Sequence, residues 1–226
     1  MIQNIKITDR LKCVCSKAPH AGNIAYLLYP MELSDSWVEQ SAKSFNTTIV
    51  VITGMDWQNV FSPWPAKGVP AGTPDFKGEA PEFLAKLRES IIPQVERELE
   101  ITDDVERTLV GVSMSGLFAL WQWLVCDTFT NIISLSGSFW YEGFEEWVTS
   151  RNIPAKSGKA YFLLGVDEPK SKEKAFATVG SATQEIIAYL GSHGVSTIFQ
   201  SVPGNHYSDP LLRLNKGLTA IFAKQA

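Results

Sequence analysis

Three stretches of the sequence carry side chains that together would support nucleophilic catalysis. They hold Ser113, the acidic pair Asp167 and Glu168, and His206, in that order along the chain. A serine hydroxyl is a weak nucleophile at neutral pH and needs a neutral imidazole to accept its proton. The imidazole in turn needs a carboxylate that fixes its tautomer and stabilises its charged form. These residue types at one site would be equipped to attack an acyl carbonyl.

Ser113 lies in a pattern typical of a sharp turn between a strand and a helix. A short apolar run ending at Val110 predicts a buried strand, and the residues after the turn stay apolar for the length of a helix. Such a turn needs small residues two positions from the serine, which the pattern G-x-S-x-G supplies. Gly111 fills the first of these positions, but Ser115 stands at the second and Gly116 follows it. Taken by itself, this pattern is as compatible with a structural serine as with a nucleophile.

The histidine is easier to choose than the acid. Of the three histidines, His20 precedes the sheet in an N-terminal turn, and His193 lies at a helix end, where a cation is favourable. His206 follows the last predicted strand and is the candidate base. Asp167 and Glu168 both follow a strand, and either residue would also serve as a helix cap or a solvated loop charge. The residues leave the choice between these two acids open.

Two backbone N–H groups are candidates for binding the oxyanion of an acyl-transfer intermediate. Met114 starts the helix after Ser113, so its N–H would point toward the developing charge with the positive helix end behind it. A second donor is expected in the loop of residues 30–33. Because Pro30 has no N–H, Met31 is our choice there.

The predicted elements explain why these residues should meet. We expect an N-terminal hairpin or edge strands over residues 5–17, then strands that alternate with helices. The strands are expected at residues 24–29, 47–53, up to 110, 131–138, 160–166 and 195–202, and the later helices at 81–100 with a kink at Pro93, 142–150, 171–192 and 211–223. This alternation predicts an α/β fold with a mostly parallel central sheet and helices on both faces, in a single domain of residues 1–226. Ligand sites in such sheets lie beyond the carboxyl ends of the strands.

Aromatic residues are concentrated in two segments that would flank the site. Residues 54–81 hold five prolines, four glycines and two tryptophans, and we expect an ordered loop that borders the site. About 20 residues separate the strand ending at Ser138 from the next strand, which leaves room for a minimal lid only. Ordinary packing is an equally weighted alternative for each aromatic residue. The side chains chosen as substrate-binding are Trp57, Trp64, Trp140 and Tyr141.

Composition excludes several classes of protein. The 226 residues carry a net charge of -4 with no basic cluster, which argues against a nucleic-acid partner. No apolar run approaches the roughly 20 residues of a membrane span, and the first residues lack the features of a signal peptide, so we expect a cytoplasmic protein without a membrane partner. Cys13, Cys15 and Cys126 predict no disulfide framework. Cys13 and Cys15 should share one buried strand face, and with His20 as the only nearby ligand no metal site is expected.

Several motifs together resemble a family of esterases in the α/β-hydrolase superfamily, the group that contains esterase D-like, feruloyl and enterobactin esterases. The resemblance covers residues from about 24 to 222. The motifs are Asp56-Trp57, Ser62-Pro63-Trp64-Pro65-Ala66, Gly111-Val112-Ser113-Met114-Ser115-Gly116-Leu117, Ser136-Gly137-Ser138-Phe139-Trp140, Gly165-Val166-Asp167-Glu168 and Gly204-Asn205-His206.

The resemblance implies an α/β-hydrolase fold and hydrolysis of a small-molecule carboxylic ester through an acyl-serine, without a metal or an organic cofactor. It makes Ser113 the nucleophile, His206 the general base and Glu168 the acid, with Asp167 as the second choice. The small lid favours short-chain or aryl esters over long lipids. Two alternatives stay open: acyl transfer to an acceptor other than water, and a hydrolase-like binding module without turnover. The oligomeric state does not follow from the sequence.

Overall fold

The computed structural model describes residues 1–18, 22–101, 105–154 and 156–223; His20 lies outside the described residues. Within them the fold is built on an eight-stranded sheet, in the order β1-β2-β4-β3-β7-β8-β9-β10. Its strands are β1 (Ile2–Lys6), β2 (Lys12–Ser16), β3 (Asn23–Leu28), β4 (Thr48–Thr53), β7 (Glu106–Val112), β8 (Asn131–Leu135), β9 (Lys159–Gly165) and β10 (Ser196–Val202). Pairing is antiparallel at β1–β2 and β2–β4 and parallel from β4 to β10. The expected N-terminal hairpin and mostly parallel sheet are confirmed.

The central strands are buried along most of their length because helices cover both faces of the sheet. All residues of β4 and β8 are buried, as parallel strands between two helix layers should be. On one face lie α1 (Asp35–Phe45) and α8 (Pro210–Phe222). The other face is covered by α2 (Ala80–Lys86), α3 (Ile92–Glu98), α4 (Met114–Val125), α5 (Phe144–Thr149) and α7 (Val179–Ser192). This confirms the predicted layers.

The helix predicted over residues 81–100 is interrupted in the way that Pro93 requires. A π-helical segment, Leu87–Ile91, joins α2 to α3, and the Ile92 N–H donates to the Leu87 carbonyl in a wider turn. Proline lacks an N–H and its ring crowds the preceding turn, so a wider turn at this point relieves the clash. The interruption expected at Pro93 is therefore a π-helical turn that ends just before the proline.

The helix predicted over residues 171–192 is wrong in its first third. The structure has a 3₁₀ turn (Glu168–Lys170), a short α6 (Lys174–Ala177) and then α7. All residues of α6 stay partly or fully exposed, so core packing does not hold them on the axis of α7. A Cβ on Gly180 would lie 2.7 Å from Pro169 Cγ, so the 3₁₀ turn packs directly on the start of α7.

Residues 54–81 form an ordered segment, and it has some secondary structure of its own. Two short strands, β5 (Pro65–Ala66) and β6 (Phe76–Lys77), pair antiparallel. Phe61 anchors the segment: it is fully buried, and its ring packs against those of Trp57, Phe83 and Phe118.

Across the described ranges of the chain, none of the helices has the length and apolar character needed to cross a membrane.

Candidate active site

Ser113 occupies a strained turn at the carboxyl end of β7. Its φ of 56° and ψ of -122° are unfavourable for a residue with a side chain, and such strain is common at functional sites. Neighbouring backbone holds the turn: the Ser113 N–H donates to the Leu135 carbonyl at 3.0 Å, and the Ser138 N–H donates to the Ser113 carbonyl at 3.1 Å. The buried Ser138 Oγ lies 3.3 Å from Ser113 Oγ. The serine is therefore fixed between β7 and the end of β8.

Gly111 and Ser115 make this turn possible in different ways. A Cβ on Gly111 would lie 2.1 Å from the Ser115 carbonyl oxygen, so the backbone approach at this position excludes any side chain. Ser115 is fully buried, and its hydroxyl accepts the Val112 N–H at 2.8 Å and lies 2.9 Å from the Leu28 carbonyl. Sequence reasoning treats Ser115 as a small neighbour, whereas its hydroxyl also ties the end of β3 to the turn.

The structure brings Ser113, Glu168 and His206 together from three strand ends. His206 lies in the loop after β10, and its Nε2 is 3.1 Å from Ser113 Oγ. Its Nδ1 is 2.8 Å from Glu168 Oε2. The imidazole therefore bridges the hydroxyl and the carboxylate, as a proton-accepting histidine must.

Glu168 is the acid that faces the imidazole. It is 7% exposed, and its Oε1 accepts hydrogen bonds from Ser136 Oγ at 2.7 Å, from the Gly165 N–H at 2.7 Å and from Arg213 Nη1 at 2.8 Å. Burial raises the pKa of Glu168, but the hydrogen bonds from His206, Ser136, Arg213 and Gly165 outweigh it and lower the pKa to about 2. The carboxylate is ionised at any ordinary working pH.

Asp167, the other acidic candidate, also lines the cavity beside His206 but pairs with a lysine. Its Oδ1 lies 2.6 Å from Lys170 Nζ in a partly exposed ion pair. Asp167 precedes the 3₁₀ turn and Glu168 begins it, and the two carboxylates have different partners. The geometry therefore pairs Glu168, and not Asp167, with His206.

Ser136 and Arg213 are site residues that sequence reasoning missed. Ser136 follows β8, and Arg213 lies on the buried stripe of α8 with Leu214, Gly217 and Leu218. An arginine within an apolar helix stripe needs a buried partner, since charged side chains are rarely buried unless paired. That placement is the signal in the sequence that would have found Arg213.

The two oxyanion candidates follow the carboxyl ends of two neighbouring strands, β7 and β3. Met114 is the first residue of α4, where the first N–H groups have no partner within the helix. Met31 lies in the bend after β3, with its side chain 56% exposed. Its role as the second donor stays a prediction.

A cavity of about 470 Å³ opens at Ser113, Glu168 and His206. Its apolar wall comes from Trp140, Phe176 and Val179, and the rings of Trp140 and Phe176 lie with centroids 4.7 Å apart. The exposed Tyr207 lines the His206 side. The wall therefore draws on α6 and the start of α7, the region in which one continuous helix was predicted.

Of the four aromatic residues chosen as substrate-binding, Trp140 lines this cavity. Trp57, Trp64 and Tyr141 are not among the described residues that line the cavity, because each packs against other residues. Trp57 packs edge-on against Phe61 with centroids 4.9 Å apart, and Trp64 Nε1 donates to the Glu142 carbonyl at 3.0 Å. Tyr141 is 2% exposed and its hydroxyl donates to the Trp64 carbonyl. None of residues 54–81, all of which the structure describes, is among the lining of this cavity, because Trp57 packs against Phe61 and Trp64 contacts Tyr141 and Glu142.

The cysteines lie far from this chemistry. Cys13 and Cys15 share a buried face of β2, as expected, and burial raises the pKa of the Cys13 thiol to about 12. In the described part of the chain, no group of three or more His, Cys, Asp or Glu residues is placed to hold a metal ion. His193 ends α7, with Nδ1 2.9 Å from the Tyr189 carbonyl.

Comparison with known proteins identifies the fold and the family. The solved structure of an IroE-like serine hydrolase from Shewanella oneidensis has a TM-score of 0.77 at 17% identity, over 98% of this chain and 80% of that one. The siderophore hydrolase EstB from Aspergillus nidulans has a TM-score of 0.75 at 16% identity, over 100% and 96% of the two chains. At these identities the likeness shows the fold, and the expected α/β-hydrolase fold is confirmed.

Sequence comparison adds one curated relative and a family. The uncharacterized protein YbbA of Bacillus subtilis is 25% identical over 150 residues, which are 64% of this chain. The match spans 60% of the length of that relative. The model of the family described as "Esterase: Putative esterase" matches residues 30–207, well over half of the chain. The chain therefore belongs to this esterase family.

Proposed function

We propose that the protein is a serine hydrolase that cleaves carboxylic esters through an acyl-serine intermediate. The observation that carries the proposal is the unbroken series of contacts from Ser113 Oγ through His206 to Glu168. Membership of the esterase family supports the ester as the bond attacked.

The geometry suggests the course of the reaction. His206 Nε2 accepts the Ser113 proton as Oγ forms a bond to the ester carbonyl carbon, and Glu168 stabilises the imidazolium. The N–H groups of Met114 and Met31 bind the oxyanion. His206 then protonates the leaving alcohol, and the acyl group stays on Ser113.

Water completes the cycle. His206 accepts a proton from water as its oxygen attacks the acyl carbon, and the protonated imidazole returns a proton to Ser113 Oγ as the acid leaves. Each step uses side chains and backbone groups of this chain, so the scheme needs neither a metal nor an organic cofactor.

The cavity favours a compact acyl group. Its volume of about 470 Å³ and its wall of Trp140, Phe176 and Val179 suit a short-chain or aryl acyl group. The alcohol side would lie toward Tyr207, which is 87% exposed and therefore accepts leaving groups of varied size.

A p-nitrophenyl ester series tests the substrate class. We expect acetyl, butyryl and benzoyl esters to be cleaved with higher kcat/KM than palmitoyl esters, and a siderophore ester belongs in the panel because of the name of one structural neighbour. Trp140→Ala should lower kcat/KM for the benzoyl ester by about tenfold, since it removes part of the apolar wall. Trp57→Ala, which alters a comparable ring outside the cavity, is the matched control. A preference for long acyl chains would contradict the proposed class.

A further inference from the structure

Arg213 is buried within the group of site residues, behind the cavity. It is 2% exposed, and Nη1 donates to Ser136 Oγ and, at 2.8 Å, to Glu168 Oε1. Nε donates to the Ser208 carbonyl at 2.7 Å, and Nη2 donates to the Asn205 carbonyl. One guanidinium group therefore bonds the acid and two backbone carbonyls of the loop after β10.

The two carbonyls belong to residues on either side of His206 and Tyr207. The loop is closed on itself by the Ser208 hydroxyl, which accepts the Asn205 N–H at 3.0 Å. A guanidinium group is planar and presents its donors in a fixed fork, so the positions of its acceptors are set relative to one another. Arg213 thus links the loop that carries His206 to the carboxylate that faces it.

The surrounding backbone leaves room for this link. A Cβ on Gly165 would lie 2.7 Å from Arg213 Nη2 and 2.5 Å from the Gly204 carbonyl oxygen. The bare backbone at the end of β9 therefore lets the guanidinium group, the loop and Glu168 come together in one layer.

We propose that Arg213 is a positioning residue that sets the contact between Glu168 Oε2 and His206 Nδ1 by holding both partners. The inference rests on the proposed function, because its readout is the turnover that Ser113 and His206 carry out. A residue that merely neutralised Glu168 would be replaceable by lysine. A residue that fixes geometry would not, because lysine cannot span the same set of acceptors.

The test measures kcat and KM of wild type, Arg213→Lys and Arg213→Ala with p-nitrophenyl acetate, on protein shown to be folded by near-UV circular dichroism. We expect Arg213→Ala to lower kcat by about 10²-fold with KM changed little, because small misplacements of reacting groups cost that much. Arg213→Lys should keep the charge and still lose about tenfold in kcat.

Chemical rescue separates positioning from loss of structure. Guanidinium chloride at millimolar concentrations should restore part of the kcat of Arg213→Ala by filling the vacated space with the same fork of donors. Urea, which has a similar shape but no charge, should restore less. A kcat of Arg213→Lys equal to wild type would overturn the proposal, because the charge alone would then be sufficient.

Arg107→Ala is the matched control. Arg107 forms a partly buried pair with Glu96 at 2.6 Å, near the start of β7 and away from Ser113. Its loss should lower stability and leave kcat unchanged; an equal fall in kcat would show that the loss of any arginine paired with a carboxylate has this effect. Should Arg213→Ala fail to fold, Arg213→Lys decides the question. Absence of turnover in wild type would contradict the proposed function instead.

Discussion

Two carboxylates in this molecule are each bonded by an arginine and by one aromatic or imidazole side chain, yet their surroundings give them different roles. Glu96, on α3, accepts hydrogen bonds from Arg107 Nε at 2.6 Å and Nη2 at 2.7 Å, and from the Tyr26 hydroxyl at 2.9 Å. Glu168 accepts from Arg213 and faces His206. The first group lies near the start of β7 and the second beyond its end.

The difference lies in the third member of each group. Tyr26 is fully buried, and burial together with the Glu96 charge raises its pKa, so it stays a neutral donor that joins β3 to α3. The His206 side chain is 31% exposed and borders both Ser113 and the cavity. An arginine–glutamate pair is therefore structural at Glu96, where the third member, Tyr26, is fully buried. In the proposed mechanism such a pair supports chemistry where the second carboxylate oxygen orients His206, which borders the cavity.

The effect on kcat should differ most between removal of His206 and removal of the Tyr26 hydroxyl. His206→Ala should lower kcat by about 10³-fold or more, because Ser113 loses its proton acceptor. Tyr26→Phe should leave kcat unchanged. Steady-state kinetics with p-nitrophenyl acetate measures both, and a His206→Ala enzyme within tenfold of wild type would contradict the role of His206.

The carboxylates themselves come next. In Glu168→Gln the amide oxygen should take the place of Oε1 and accept the hydrogen bonds from Ser136, Gly165 and Arg213. The amide NH₂ group would then lie against His206 Nδ1. The imidazole would then carry its proton on Nε2 and could not accept the Ser113 proton, so we expect kcat to fall by about 10²- to 10³-fold.

Two variants serve as controls for this loss. Glu96→Gln should lower stability without lowering kcat, and Asp167→Asn should change kcat by less than about threefold, since its partner is the exposed Lys170. A larger loss of kcat at Asp167 than at Glu168 would overturn the assignment of the acid.

The low pKa of Glu168 predicts a pH-dependent contribution to stability. Because the folded pKa of about 2 lies below the unfolded value near 4.3, the contribution is fully present above about pH 5 and is lost as the pH falls toward 2. Its size should be on the order of 2–3 kcal/mol. Urea unfolding between pH 3 and 6 should show a smaller acid loss for Glu168→Gln than for wild type, and identical pH profiles would refute this prediction.

The smallest expected effects come from single hydroxyl groups. Ser136→Ala removes one donor to Glu168, and Tyr26→Phe removes one donor to Glu96. Each should cost about 1 kcal/mol in the free energy of unfolding. Ser136→Ala should in addition lower kcat a few-fold, because Glu168 is held less firmly. Equal kinetics for both variants would remove the distinction between the two groups.

Much of this arrangement is predictable from local sequence patterns. The apolar run before Ser113 and the small residues around it predict the turn, and the alternation of strands and helices predicts that three strand ends converge. The choice between Asp167 and Glu168 is not local. It depends on a 3₁₀ turn that aims neighbouring side chains differently, and on donors from Ser136 and Arg213, which are distant in the chain.

The cavity wall shows a second limit. Trp57, Trp64, Trp140 and Tyr141 look alike as aromatic residues in irregular segments, but Trp64 and Tyr141 contact each other and Trp57 packs against Phe61. Phe176 lines the cavity from the short α6, which is separate from α7, and Pro169 packs close to Gly180 at the start of α7. Propensity does not distinguish these outcomes because packing overrides it.

The most direct test of the central claim is covalent labelling by a fluorophosphonate probe, read by intact mass and peptide mapping. We expect wild type to gain one adduct on the peptide that contains Ser113, and Ser113→Ala to gain none. Wild type that stays unlabelled, or Ser113→Ala that is labelled as fully as wild type, would contradict Ser113 as the nucleophile.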